Sequence, residues 1–218
     1  MLCGLVPLFK PKRMKTLYGH NKKNNLVKEI NKYMATFNNP IAYGKRYAAQ
    51  NVDALNRVGV CAANTTVYNG TLVTLSGMNT GASQGMNYVW TAVPTAANTA
   101  ADVWMVRSPE VPKDPCGNLY VDPRAFQVEG GTNFDMIHLM PNDIIHVSAQ
   151  AFGSNQQPNS SNTYVTAAAN GQYIAVASAS SITGIVFKLV STEAIPVGSE
   201  FVTGYVLEVI QNPNAALA

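Results

Sequence analysis

Apolar and polar positions follow two different periods along the chain. In the first forty residues Leu26, Ile30, Tyr33, Met34 and Phe37 recur at helical spacing, which predicts a short amphipathic helix over about 22–37. Asn21 or Asn25 would cap it, and Asn38-Asn39-Pro40 ends it. Residues 41–58 carry no clear period and read as either a short helix or a linker. From Val58 onward the pattern becomes that of strands. Two Asn-Gly pairs, Asn69-Gly70 and Asn170-Gly171, sit between β-branched or alternating runs, which predicts two type I′ hairpins because both turn residues need positive φ. Further strands are expected at 88–92, 103–107, 126–128, 136–139, 144–149, 164–169, 172–177, 185–190 and 201–210. Gly-, Asn-, Ser- and Ala-rich segments at 77–85 and 153–162 read as connecting loops. The predicted fold is mainly β: an antiparallel β-barrel or β-sandwich body over 47–218. An extended basic N-terminal arm with one short helix, residues 1–46, precedes it.

Charge sharpens this division. Charged residues make up 12% of the 218-residue chain, about half of the roughly 25% usual in soluble domains. A neutral surface rich in Asn and Thr suits contact with other subunits, since few charges must be desolvated. The net charge of +3 is unevenly spread. Residues 1–46 hold ten Lys/Arg and a single acid, Glu29, whereas 47–218 hold five Lys/Arg and eleven acids. A basic arm of this kind meets an acidic protein surface, nucleic acid or an anionic membrane. The opening MLCGLVPLFK has no basic stretch before its apolar run, and Pro7 and Pro11 break any helix. It is therefore read as a docking peptide rather than a signal peptide, a span or an interfacial anchor, and no membrane partner is expected. Met14 offers a second plausible start. Cys3, Cys61 and Cys116 form an odd set without a CxxC, which argues against a disulfide framework and for synthesis in a reducing cytoplasm.

The sequence offers little chemistry. Asp135 precedes His138 by three residues, and Asp143 precedes His146 by three. In strands such pairs point to opposite faces and need not meet. HExxH and P-loop motifs are absent, and no nucleophile elbow is read in the chain. Trp90 and Trp104, with Tyr88, Tyr120 and Tyr164, would make a glycan-binding face if they shared one surface, although strand aromatics more often serve a core or an interface. The arm's cations also suit phosphates, with Tyr18 and His20 among them for stacking, but no recognised nucleic-acid module is present. The expectation is a protein that is not an enzyme, with no catalytic residue, no cofactor and no metal site.

Several short stretches resemble a known class. Residues 39–53 (NPIAYGKRYAAQNVD) lead into 55–60 (LNRVGV), then the Asn69-Gly70 turn, 103–106 (VWMV) and 121–126 (VDPRAF). Together they resemble small structural proteins of tailed-bacteriophage virions, of the capsid decoration or head-auxiliary type. The resemblance covers roughly residues 39–150. It implies a β-barrel module that sits on the capsid surface of a virion, made in the host cytoplasm, and braces the major capsid protein. It implies no cofactor and no reaction. Symmetric interfaces make a homo-oligomer, a trimer by preference, the expected state. The residues expected to bind the capsid or another virion protein are Leu5, Phe9, Lys12, Arg13, Lys22, Lys23, Leu26, Ile30, Tyr33, Phe37, Lys45 and Arg46. The alternatives are a tail, portal-adaptor or head-fibre protein and, in another class, a carbohydrate-binding β module.

Overall fold

The structure, a computed structural model, describes residues 39–44, 55–81, 88–108, 123–197 and 200–213. Eleven strands run through these residues in two sheets. The first is a closed five-stranded barrel of β2 (Asn56–Val60), β4 (Val89–Pro94), β3 (Leu72–Met78), β5 (Val103–Val106) and β6 (Asn133–His138), in that order around the barrel. The second is six-stranded, in the order β1 (Ala42–Gly44), β7 (Ile144–Ser148), β11 (Glu200–Gln211), β10 (Val186–Val197), β8 (Tyr164–Ala167) and β9 (Tyr173–Val176). All described residues belong to one unit, 37–218. The β1 strand comes from the segment the sequence reading assigns to the arm, and it pairs with β7 at Ala42↔Val147.

Alternation explains how the barrel and the sheet share a wall. On β5, Trp104 and Val106 point into the barrel core with Val73, Phe134 and Met136, while Val103 and Met105 point the other way, toward the sheet. All four β5 residues are buried, the signature of a strand covered on both faces. On the sheet side, Val103 and Met105 join Leu72, Leu139, Ile145 and Leu207. Among these residues Phe152, Tyr173, Phe187 and Tyr205 form a chain of ring contacts with centroids 5.2–5.6 Å apart. Polar ties cross the same boundary. Tyr173 Oη donates to the Gly70 carbonyl at 2.9 Å, and Asn98 Oδ1 accepts from the Thr183 and Gly184 amides.

Four expectations are corrected. The barrel is not wholly antiparallel, because β2 and β4 run parallel, at Val58↔Val89 through Val60↔Thr91. The β3 strand lies between β4 and β5, so the chain leaves β2, crosses, and returns beside it. The Asn69-Gly70 pair does not close a hairpin. Thr71 N donates to Tyr68 O at 3.0 Å, and Gly70 has φ 90° while Asn69 is not in the positive-φ region, the pattern of a type II turn. The chain before it makes only an isolated bridge, Val67↔Val128, so 126–128 is not a strand either. Finally, the two ends of the region 41–58, read as a short helix or a linker, are strand, β1 at Ala42–Gly44 and β2 from Asn56 onward, while 45–54 lie outside the described residues. The other turn is as expected: Asn170 (φ 60°, ψ 27°) and Gly171 (φ 72°) both take positive φ between β8 and β9.

Candidate functional site

One end of the barrel gathers its least ordinary side chains. Arg57 and Gly59 lie two apart on β2 and therefore on one face. That face is the barrel interior, since a Cβ on Gly59 would meet the Phe134 ring at 3.0 Å. Arg57 reaches along this interior and stacks on two indoles, its guanidinium carbon 4.2 Å from the Trp90 ring centre and 4.7 Å from that of Trp104. His138 packs on Trp104, with ring centres 4.7 Å apart. Asp102 joins both, accepting from Trp104 Nε1 at 3.2 Å through Oδ2 and pairing with His138 Nε2 at 2.5 Å through Oδ1.

The rim of this mouth is apolar. Met78 is the register partner of Trp90, and Tyr88 lies two residues before it on the same face. Both are open to solvent, at 46% and 64%. A bulge between Leu75 and Gly77 resets the face of β3, so that Leu75 points inward and so does Met78 after it.

The described aromatics named for a glycan-binding face do not share one surface. Trp104 is 3% exposed and belongs to the barrel core. Trp90 is half-buried under Arg57, Tyr164 is on the other sheet, and Tyr120 lies outside the described residues. His138 meets Asp102, a residue the sequence reading did not pair with it, while Asp135 is exposed on the opposite face. Asp143 accepts from the Met140 amide at 2.8 Å and closes a turn. His146 is buried against the backbone of Gly204, where any Cβ would collide with its ring. No cluster of three or more His, Cys, Asp or Glu residues is found among the described residues.

Residues 81–85 read GASQG and match the GxSxG spelling of a nucleophile elbow, which the sequence reading passes over. They lie in the connection between β3 and β4, two antiparallel neighbours. A nucleophile elbow is a strand-to-helix turn; residues 82–87 of this connection, Ser83 among them, lie outside the described residues.

Two other surface features stand out. The β10–β11 hairpin runs past its neighbours: β8 pairs with β10 only over Val186–Lys188, and β7 pairs with β11 only over Gly204–Glu208. The part beyond forms a ribbon. On one face Ile195, Val197 and Val202 pack with Ile41. On the other, Ala194, Pro196, Phe201 and Thr203 are exposed and uncharged, with Phe201 at 72%. Glu200 near the tip is held by Arg124 at 2.8 Å. Separately, a pocket of about 300 Å³ opens between barrel and sheet. Tyr68, Thr71, Gln150, Asn170, Gln172 and Tyr173 line it, and it has no charged side chain.

The twelve residues expected to bind a partner, Leu5 through Arg46, all lie outside the described residues. Cys61 is a buried free thiol, and burial pushes its pKa up to about 11. No helix among the described residues is long and apolar enough to cross a membrane. Comparison of the chain with protein-family models, with curated proteins and with solved structures returns no match.

Proposed function

We propose that this chain is a structural protein of a tailed-bacteriophage virion, a capsid decoration or cement protein that binds and braces the major capsid protein lattice. The basic segment that precedes β1 is the anchor, and the β body, which takes in β1 at Ala42–Gly44, forms the outer, oligomeric part. The observation that carries this reading is the partition of charge: ten cations against one acid in 1–46, and five against eleven in the rest. A chain so divided brings a cationic segment to an acidic surface and keeps a sparsely charged body for neutral contacts. The ribbon supports the same reading. It offers an uncharged strip with an exposed Phe201, the kind of aromatic anchor that interfaces bury. In this role the protein performs no reaction and needs no cofactor.

The test is a charge-reversal series at Lys12, Arg13, Lys22 and Lys23. Incorporation into particles is expected to be abolished while the body's thermal melt is unchanged. Normal occupancy of the variants would remove the anchoring role. A tail, portal-adaptor or head-fibre position is distinguished by copy number per particle. A carbohydrate-binding reading rests on the neutral pocket around Tyr68 and Gln150, whose size reaches the lower end of small-ligand sites. A glycan array without a hit would dismiss it.

A further inference from the structure

Arg57 is a half-buried cation whose guanidinium has no acceptor among the described residues: it makes no side-chain hydrogen bond and no ion pair with any of them. What holds it is the pair of indole faces of Trp90 and Trp104. A guanidinium carries a rigid fork of N–H donors that matches a carboxylate in two parallel bonds. The guanidinium carbon lies over both rings, and no described acceptor meets its N–H donors. The conformational cost of ordering a long side chain has thus already been met, which is the condition for tight anchoring. Arg124, by contrast, spends its charge on Glu200 within the chain.

We infer that Arg57 anchors a carboxylate carried by another polypeptide, an acidic side chain that enters the barrel mouth with its apolar neighbours against Met78 and Tyr88. Three features favour this ligand. A single guanidinium matches one monoanionic carboxylate in charge and in shape. Among the described residues, Arg57 is the one Lys or Arg shown against the two indoles, and the Asp102 carboxylate, which would repel a phosphate dianion, bonds to Trp104 Nε1. The exposed thioether of Met78 and ring of Tyr88 give side chains flanking an acid in a peptide an apolar surface to cover. The inference does not depend on the virion reading.

The chain's two tryptophans are Trp90 and Trp104, so its intrinsic fluorescence reports on Arg57 directly. The full chain is titrated with the blocked peptide acetyl-Ala-Phe-Glu-Leu-Ala-amide, with its Gln-for-Glu counterpart, and with inorganic phosphate. A saturable change is expected with the Glu peptide, and binding about tenfold weaker with the Gln peptide, the loss expected for a charge-assisted pair. In Arg57→Gln the two peptides are expected to become equivalent. The comparison of the two peptides on the unaltered chain stands even if that variant does not fold. Equal binding of both peptides, no response to either, or an equal response to inorganic phosphate would overturn the inference.

Discussion

Asn212 ties the end of β11 to the barrel with three hydrogen bonds. Its Oδ1 accepts from the Val103 amide at 3.1 Å, and its Nδ2 donates to the Val103 and Leu139 carbonyls at 2.9 and 2.8 Å. The residue is 9% exposed, so removing its amide strands backbone groups that water does not reach. Asn212→Ala is expected to cost roughly 2–4 kcal/mol in a urea titration, since each buried group left unpaired carries a desolvation penalty. A second residue-scale effect is pH dependence. Burial raises Cys61 from 9.0 to about 11 and raises the fully buried Tyr173 as well. The folded state therefore holds these protons more tightly than the unfolded state does. Their contribution is intact below pH 9 and falls as pH rises toward 11, where the unfolded thiol ionises first. The melting temperature should drop over that window, and less steeply in Cys61→Ala; identical slopes for the two proteins would contradict the assignment. In the sequence these positions look ordinary. Arg57, Trp90 and Trp104 are far apart along the chain, and only the parallel pairing of β2 with β4 brings the first two together. Asp135 and His138 do face opposite ways, as their spacing on a strand implied, but nothing in the sequence placed Asp102 beside His138.

At the scale of elements, the two Asn-Gly turns show what local chemistry decides and what it leaves to packing. At 170–171 the flanking strands are true neighbours, with Ala167↔Tyr173 in register, and the predicted type I′ geometry forms. At 69–70 the following strand is claimed by β4 and β5 instead, and the same dipeptide settles into another turn. Gly171→Ala tests the first. Besides its positive φ, a Cβ there would come within 2.5 Å of the Leu72 carbonyl oxygen. A loss of about 1–3 kcal/mol is expected in chemical denaturation. Strand β1 escaped the sequence reading because three residues are too few to display a period of two. Strand β11 was found almost whole, while β10 was read only to Val190, because the stretch Ser191-Thr192-Glu193 after it is polar and hides the strand's continuation to Val197. The ribbon they form gives a separable prediction. Phe201→Ser should leave stability within about 0.5 kcal/mol, as exposed substitutions do, yet lower occupancy on the proposed capsid partner. A large fall in stability would place Phe201 in the fold rather than at an interface.

For the whole molecule, the mainly β body was legible from alternation and turn residues, and the division into a barrel and a six-stranded sheet was not. Strand order depends on contacts between residues far apart in sequence, as with Ile41 N, which donates to Ser148 Oγ at 3.0 Å. The partition of charge is a property of the chain as a whole and gives the account its functional content. A cationic segment joined to a sparsely charged β body makes sense as one part of a larger assembly, in which interfaces repeated by symmetry multiply small contacts. The most direct measurement is therefore the number of copies of this chain per purified particle, by quantitative mass spectrometry of purified virions. The account predicts hundreds, as for a protein covering a capsid lattice. About a dozen or fewer would contradict the decoration role and move the chain to a portal, tail or fibre, and absence from every particle would contradict the virion reading altogether.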